Sequence, residues 1–391
     1  MLRLLHTADV HLGARHADLG DAAATQRERQ FAAFAASVDL ALSERVDLFL
    51  VAGDLFDSNV QPRRSVERVA AELARLVQSR VRTVLVPGTH DVYDRSSVYR
   101  AYDLAAMAGA SEGGDLLTVL TPERPWLHIG ACDVVVHGPV FATKRAPHSP
   151  LRDLASVRTP DATWRLGILH AAIAIPGRTD HDEVVITTDE IAASGLDYLA
   201  LGHWHGAQVA KARGVTYAYA GAPEPIALDQ DKAGKVLLVT LEQRDGVKAV
   251  KVEERVVGRT TFERVDVDAA TVGSQPALVA RLRAAADKDR VLAVRLIGVR
   301  PDELDLDVSE VEEALKGDYL RVRVRDGSQA PLTDGTLPPP ETIAGAFIRT
   351  VEGRITVLEG SADTAAAREA EELRDALRLG RLLLAGKEVT L

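Results

Sequence analysis

Short apolar runs recur through the first part of the chain and are separated by stretches that carry apolar residues at helical spacing. The runs are residues 2–7, 47–52, 82–86, 164–170 and 198–202, and residues 25–44 and 66–77 have the helical spacing. Continuous apolar runs are typical of strands buried on both faces. The pattern therefore predicts an α/β domain over residues 1–245, with functional sites at the polar strand ends.

The pattern changes from about residue 260. Strand-like residues 260–267, 291–299 and 319–324 alternate with helical residues 275–286 and 308–315. This βαβαβ order predicts a small separate domain over residues 258–330. A proline-rich stretch at 337–340 predicts a linker, and residues 365–384 form a charged amphipathic helix within a C-terminal region, 341–391. The apolar positions of that helix, such as Leu373 and Leu377, pack either on this protein or on a partner.

The composition narrows the class of protein. Of the 391 residues, 46% are apolar and 27% are charged, as in ordinary globular proteins. The net charge of −10 argues against non-specific coating of nucleic acid but is compatible with a local basic patch. The one cysteine, Cys132, cannot form an intrachain disulfide, which fits a reducing cytoplasm. We expect no signal peptide before the first motif and no membrane span, which needs about 20 apolar residues.

Five polar motifs follow the strand-like runs in order. They are Asp9-Val10-His11, Gly53-Asp54-Leu55-Phe56-Asp57, Gly88-Thr89-His90-Asp91, His170 and Gly202-His203-Trp204-His205. A phosphodiester repels nucleophiles because its oxygens are negative, and two divalent cations overcome this by neutralising the phosphate and activating water. Aspartate and histidine are suitable ligands for such cations. The motifs therefore predict a two-cation phosphoesterase site in which Asp54, at the end of a buried strand, bridges the cations.

Individual motifs are weak signals, and their joint occurrence in order carries the prediction. His90 is the candidate to stabilise or protonate the leaving oxygen. Asp57 and Asp91 either hold histidine tautomers or cap their loops. His137 ends another strand, and a structural role is favoured for it over a place in the cleft.

At these residues the chain resembles the calcineurin-like metallophosphoesterases, and within them most closely the SbcD family of double-strand-break repair exonucleases. The closer resemblance rests on residues 7–13, on Arg27-Glu28-Arg29-Gln30-Phe31 and on residues 199–205. It implies a four-layer α/β/β/α sandwich with a smaller βαβαβ capping domain and a C-terminal helix. Specific motifs support it over residues 1–245, and only the order of domains supports it beyond them.

The resemblance also implies ligands and partners. Asp9, His11, Asp54 and His205 would hold one cation, and Asp54, His170 and His203 the other, with the position of Thr89 as its fourth ligand. Manganese is the usual metal, and magnesium, iron(II) and zinc are alternatives. The capping domain would touch DNA ends, and the C-terminal region would dock on an SbcC-type ATPase. Helices near residues 63–77 and 96–108 would form a homodimer.

Thr89 departs from the family, which places an asparagine there. A threonine side chain is shorter, and its hydroxyl is a poorer ligand than an amide carbonyl. Three outcomes stay open: an active site with a weaker second cation, a preference for another metal, or a protein that binds DNA ends with little nuclease activity.

Arginines are the candidates for DNA contact. Arg63 and Arg64 precede the Thr89 loop, and Arg321 and Arg323 share one face of the last strand of the small domain. Solvated surfaces explain both groups equally well.

The sequence therefore predicts a metal-dependent DNA exonuclease or endonuclease subunit that acts on DNA ends in double-strand-break repair. One alternative is a scaffold that binds DNA ends, with its nuclease weakened by Thr89. The other is a small-molecule phosphodiesterase, which would not need a capping domain.

Overall fold

The computed structural model describes residues 1–391 except 111–113, 115, 153, 180–182, 229, 231, 302–303, 331–336, 362 and 391, so a few positions of the predicted C-terminal domains lie outside it. The strands are β1 (Leu2–Thr7), β2 (Leu48–Ala52), β3 (Arg82–Val86), β4 (Leu117–Val119), β5 (Trp126–Ile129), β6 (Val134–His137), β7 (Trp164–His170), β8 (Ala172–Ile173), β9 (Val185–Ile186), β10 (Tyr198–Gly202), β11 (Gln208–Ala212), β12 (Val215–Tyr219), β13 (Lys235–Arg244), β14 (Val247–Val256), β15 (Thr261–Asp268), β16 (Arg290–Ile297) and β17 (Arg321–Asp326). The helices are α1 (Ala23–Ser43), α2 (Arg63–Gln78), α3 (Val98–Ala101), α4 (Leu104–Met107), α5 (Thr188–Ala193), α6 (Gln275–Ala284), α7 (Val308–Ala314), α8 (Ile343–Glu359) and α9 (Thr364–Leu384). The described chain forms two compact units, Met1–Thr261 and Phe262–Leu391.

Two mixed sheets form the frame of the first unit. The first sheet has the order β14-β13-β1-β2-β3-β4, and the second has the order β11-β12-β10-β7-β6-β5. Strands β1 to β4 are parallel to one another, as are β6, β7, β10 and β12. Because parallel strands end at the same edge of a sheet, the motifs that follow β1, β2, β3, β7 and β10 gather at the carboxyl edges.

Apolar packing arranges these sheets in four layers. Leu4, Leu50, Leu166 and Ala200, from both sheets, share one buried core, so the sheets pack face to face. The outer face of the first sheet packs against α1 and α2. The outer face of the second packs against α5 and neighbouring loops. The α/β/β/α sandwich expected from the sequence is confirmed.

A long hairpin closes the first sheet. It consists of β13 and β14, and the apolar pattern did not predict β14. The turn contains Asp245 and Gly246, with φ of 51° and 78°, and Arg244 pairs with Val247. Strand β14 is an edge strand, and most of its residues are exposed or half-buried.

The second unit contains the βαβαβ segment and a helix pair. Its sheet has the order β15-β16-β17, and Val267, Leu278, Leu296 and Val322 form a core with α6 and α7. Helix α8, which the sequence pattern did not predict, packs against α9. Among the described residues, no helix combines the length and the apolar character that a bilayer crossing requires.

Candidate metal centre

The loops after β1 and β2 are joined by backbone hydrogen bonds. Asp9 N donates to Gly53 O at 3.1 Å, and His11 N donates to Asp54 O at 3.0 Å. Asp9, His11 and Asp54 have left-handed backbone, with φ of 52°, 50° and 49°. Non-glycine residues in such regions cost about 1–3 kcal/mol each, and this strain clusters at functional sites. Tertiary contacts therefore hold three predicted ligands in an unfavourable conformation.

The Asp54 carboxylate lies between imidazoles from opposite sides of the site. Its Oδ2 is 3.1 Å from His170 Nε2 and 3.8 Å from His11 Nε2. His11 Nε2 is 3.2 Å from His205 Nε2, and His170 Nδ1 is 3.8 Å from Asp9 Oδ1. Asp54 thus faces one histidine of each predicted cation shell, which is the geometry that a bridging ligand requires.

Several side chains place their ligand atoms within 4.8 Å of one another. In the part of the chain that the structure describes, these groups are Asp9-His11-His205, Asp9-Asp54-His170 and His11-Asp57-His90. The first two groups correspond to most of the two predicted shells. Both of these groups contain Asp9. The carboxylates of Asp9 and Asp54 therefore both lie between the histidines of the two predicted shells.

His203 contacts the cluster through its backbone. Its N donates to Asp9 Oδ1 at 2.9 Å and to Oδ2 at 3.2 Å, at a φ of 108°. The centroid of its ring is 5.4 Å from that of His170. The structure therefore brings His203 beside the other predicted ligands, with its amide fixing the Asp9 carboxylate.

The buried nitrogens of the site fit divalent cations. His170 Nδ1 donates to the Ala52 carbonyl at 3.0 Å, and its Nε2 faces Asp54 Oδ2, so a bound cation would take the place of the Nε2 proton. Among the described residues, His170 Nε2 is buried and makes no hydrogen bond of acceptable geometry. An unsatisfied buried polar atom costs about 1–3 kcal/mol, and coordination to a cation would satisfy this nitrogen. His11 faces the cluster with its Nε2, while its Nδ1 faces Asp57.

The electrostatics of the cluster favour added positive charge. Burial raises the pKa of Asp9 to about 6, with His170 opposing the shift and Asp54 adding to it. Burial opposes protonation of His170, but Asp54 and Asp9 raise its pKa to about 10. Burial also opposes ionisation of Asp54, yet His170 and His11 lower its pKa. Burial and then the charge of His11 lower the pKa of His205 to about 3, so its imidazole is neutral, the form that binds metals.

The loop after β3 is fixed by the buried carboxylate of Asp91. This carboxylate accepts hydrogen bonds from Gly88 N at 2.7 Å, from Phe56 N at 3.1 Å and from the Tyr99 hydroxyl. Burial and the nearby charge of Asp54 raise the pKa of Asp91. Of the two roles left open by the sequence, these contacts favour that of a loop cap for Asp91.

His90 lies on the open side of the cluster. Its N donates to Asp54 Oδ1 at 2.7 Å, and its Nδ1 is 3.0 Å from Asp57 O. The side chain is 45% exposed, so the ring is accessible to a substrate. Asp57 Oδ1 is 3.3 Å from His11 Nδ1, a contact that favours the other role left open, that of orienting a histidine.

Thr89 lines a cleft that also includes Gly88 and His170. It is largely buried, with 8% of its surface exposed. A Cβ on Gly88 would lie 2.2 Å from Asp54 Oδ1, so only glycine allows the loop to approach the carboxylate this closely. The structure thus brings Thr89 into the cleft of the candidate metal centre.

Gln30 supports the first loop, although the sequence motifs assigned it no role. Its fully buried amide donates to Val10 O at 3.2 Å and to His11 O at 3.1 Å. Its Oε1 is 2.8 Å from His16 Nε2. Gln230 likewise contacts His205 Nδ1. These contacts join residues far apart in sequence, and the only advance signal was that Gln30 lies within the segment 27–31 that supported the resemblance.

The four arginines predicted to contact DNA lie on surfaces. Arg63 and Arg64 begin α2, and Arg63 Nε bonds to Glu67 Oε1 at 2.8 Å. Arg321 and Arg323 lie on β17 of the second unit, on the sheet face opposite its apolar core. Their contact with DNA stays a prediction.

Comparison with known proteins identifies the family of the chain. Residues 2–207, just over half of the chain, match the calcineurin-like phosphoesterase family, and the chain belongs to this family. The DNA double-strand break repair protein Mre11 of Aeropyrum pernix is 30% identical over 283 residues, which are 70% of this chain and 65% of that protein. The SbcD subunit of the nuclease SbcCD of Rhodobacter capsulatus is 27% identical over 266 residues, 59% of this chain and 64% of that protein. A solved structure, TT1561 of Thermus thermophilus, is similar at 13% identity and a TM-score of 0.41, over 66% of this chain and 99% of that chain.

The family match and the two curated relatives confirm the resemblance to calcineurin-like metallophosphoesterases of the SbcD and Mre11 type. The chain spans less than two thirds of the length of both curated relatives. The DNA substrate, the activity and the partners of the whole protein are therefore matters for proposal.

Proposed function

We propose that this protein is a metal-dependent DNA nuclease subunit that hydrolyses phosphodiesters at DNA ends during double-strand-break repair. The observation that carries the proposal is the buried Asp54 carboxylate, with Oδ2 3.1 Å from His170 Nε2 and 3.8 Å from His11 Nε2. The names of the relatives, a repair protein and a nuclease subunit, support DNA as the substrate.

The side chains divide into ligands, supports and a proton donor. Asp9, His11, Asp54 and His205 would hold one divalent cation, and Asp54, His170, His203 and Thr89 the other, with manganese as the first choice. When bound, the cations neutralise the phosphate and lower the pKa of water. Asp57 orients His11, and Asp91 fixes the loop that presents His90. From the open side of the cluster, His90 protonates the leaving sugar oxygen.

Degradation of linear DNA in the presence of manganese tests the proposal. The wild type should cut, and Asp54→Asn should lose activity because one carboxylate charge between the histidines is removed. His128→Gln, a histidine substitution on β5, is the matched control and should cut like the wild type. A preference for cyclic nucleotides over DNA would instead favour a small-molecule phosphodiesterase.

Variants of Thr89 distinguish an active nuclease from a scaffold that binds DNA ends with little nuclease activity. In Thr89→Asn an amide carbonyl replaces the hydroxyl, so we expect the metal content to approach two ions per chain and the rate to rise on the order of ten-fold. Thr89→Val, which removes the hydroxyl at similar volume, should hold less metal than the wild type. Cutting by Thr89→Asn alone would favour the DNA-end-binding scaffold. If neither the wild type nor Thr89→Asn cuts DNA when loaded with metal, the nuclease proposal is wrong.

We also propose that the protein is a homodimer and docks an SbcC-type ATPase through its C-terminal helices. Ile343 and Val357 on α8, and Leu383 and Leu384 on α9, are exposed apolar side chains. Such positions on a helix pair are suited to a partner surface. Leu383→Glu combined with Leu384→Glu should prevent co-purification with the ATPase, whereas Arg368→Glu, an exposed position on α9, should not. Sedimentation analysis of the isolated protein tests the dimer.

A further inference from the structure

A separate cavity of about 200 Å³ lies on the outer face of the second sheet, at its β5 edge. Trp126 on β5 and His137 on β6 are cross-strand partners, and both line the cavity. Their neighbours Leu127 and Val136 belong to the core between the sheets. Because side chains alternate along a strand, Trp126 and His137 point away from that core. The sequence favoured a structural role for His137, but the structure places it in the wall of this cavity.

Apart from Arg152, the described side chains in the walls of this aromatic cavity are rings or apolar groups. The segment between β6 and β7 supplies Phe141, His148 and Leu154 opposite Trp126. The Phe141 and His148 rings are in edge-to-face contact, with centroids 5.3 Å apart. Drug-sized ligands occupy pockets of about 300–1,000 Å³, so this smaller cavity suits a single flat ring system.

The aromatic cavity adjoins the candidate metal centre. Pro139, Phe141 and Pro150 line both the cavity and the cleft that contains Thr89 and His170. In a nucleotide, only the sugar separates the phosphate from the base. A phosphodiester bound in the cleft would therefore have a neighbouring base within reach of the aromatic walls.

The polar groups of the aromatic cavity suit a base carried on an anionic backbone. Burial and then the charge of Arg165 lower the pKa of His137 to about 4, so its imidazole is neutral near pH 7. His137 Nε2 accepts from Arg165 Nη2 at 3.3 Å. Arg152 lies at the cavity wall, and no carboxylate occurs among the described residues that line it. The environment combines aromatic faces with positive charge, as in sites that bind unpaired nucleic acid strands.

We propose that the aromatic cavity binds the unpaired base of a nucleotide adjacent to the scissile phosphodiester. A base stacked within a duplex cannot enter a cavity of this size, so the nucleotide must be single-stranded or turned out of the helix. The proposal rests on the proposed nuclease function and adds a preference for frayed or single-stranded ends.

The test uses a short single-stranded oligonucleotide with one phosphodiester, its other linkages being uncharged methylphosphonates. In matched substrates, the base on one side or the other of the phosphodiester is replaced by an abasic residue. The wild type should cut the intact substrate about ten-fold faster than one of the abasic substrates, in keeping with the energy of base–aromatic stacking. Trp126→Ala should lose this difference and cut that abasic substrate at the wild-type rate.

Two variants separate stacking from folding. Trp126→Phe retains a ring and should keep part of the preference for the intact base. His128→Ala changes a side chain two positions along β5 from Trp126, outside the described lining of the cavity, and should keep the full preference for the intact base.

A binding measurement without catalysis uses 2-aminopurine beside a non-hydrolysable linkage. Its fluorescence should be quenched by the wild type and much less by Trp126→Ala, and excess free deoxynucleoside monophosphate should compete only weakly.

The outcomes distinguish this inference from the proposed function. If neither the wild type nor Thr89→Asn cuts linear DNA, the nuclease proposal itself is wrong. If the wild type cuts linear DNA but none of these single-stranded substrates, only the base-binding role is overturned. Equal cutting of the intact and both abasic substrates would leave the nuclease in place and overturn the base-binding role. An equal loss of rate on all substrates in Trp126→Ala would show that Trp126 is only structural. Complete competition by the free monophosphate would assign the cavity to mononucleotides instead.

Discussion

Two buried glutamines of α1 lie one turn apart on the same helix face but support different parts of the first unit. Gln30 donates to the carbonyls of Val10 and His11 in the first ligand loop. Gln26 donates to Pro225 O at 2.8 Å and accepts from Thr260 Oγ1 at 2.9 Å. Both are fully buried, so substitution of either leaves polar partners unsatisfied. Only Gln30 holds a loop whose ligands have strained backbone.

We expect Gln30→Leu to weaken manganese binding about ten-fold, as changes to groups that orient metal ligands do. Gln30→Leu and Gln26→Leu should each lower the free energy of unfolding by about 1–3 kcal/mol. Gln26→Leu, however, should bind manganese like the wild type. Electron paramagnetic resonance of free manganese during titration measures the affinity, and thermal unfolding measures stability. Equal manganese affinity in both variants would reduce Gln30 to a purely structural residue.

The ligands themselves were predictable because chemistry and position coincide in the sequence. Asp9, Asp54 and His170 each follow or end an apolar run, so the strands predicted from the pattern also brought the motifs to one edge. Gln30 and the walls of the aromatic cavity were not predictable in this way. Their roles depend on contacts between distant segments, and the described residues of 139–152 and 154–157 have little regular structure that a sequence pattern could indicate.

At the scale of the element, two glycines should respond in opposite directions to the same substitution. Gly246, in the β13–β14 turn, has a φ of 78°, whereas Gly353 lies inside α8 with ordinary helical backbone. A Cβ at either position would meet nothing within 4 Å. Gly246→Ala should destabilise the protein by about 1–2 kcal/mol because of the left-handed conformation. Gly353→Ala should stabilise it by about 0.5–1 kcal/mol because glycine lowers helix stability.

Urea denaturation followed by circular dichroism measures both effects, with the wild type as reference. Shifts of the same sign in the two variants would contradict the assigned backbone conformations.

The elements missed from the sequence share a physical cause. The buried strands β1, β2 and β3 are continuous apolar runs, which tertiary burial on both faces requires. Strand β14 is exposed or half-buried throughout, and charged residues interrupt its apolar ones at irregular spacing, so neither an apolar run nor a strict alternation marks it. Helix α8 follows the proline-rich stretch directly, and its partner α9 supplies the apolar face that stabilises it. Elements that depend on a neighbour for burial carry the weakest signal in their own sequence.

At the scale of the whole molecule, metal binding should stabilise one unit and not the other. All the candidate ligands belong to the unit Met1–Thr261. A ligand present at about 100 times its dissociation constant stabilises the folded state by about 2.7 kcal/mol. Scanning calorimetry should therefore show that manganese raises the unfolding temperature of the first unit by a few degrees and leaves that of the second unchanged.

Chelation should reverse this shift, and Asp54→Asn should not show it. An unfolding temperature of the wild type that does not respond to manganese would contradict the metal centre independently of any nuclease assay.

The hairpin strand β14 also affects the tendency of this protein to aggregate by strand addition. It is the edge of the first sheet, and an open edge exposes unpaired backbone groups on which another chain can add a strand. Charged side chains recur along it: Lys248, Lys251, Glu253, Glu254 and Arg255. Some are held in place, as Lys248 Nζ is by Asp197 Oδ2 at 2.9 Å. Strand addition would bring such charges together and strip them of water, so β14 protects this edge of the first sheet against aggregation.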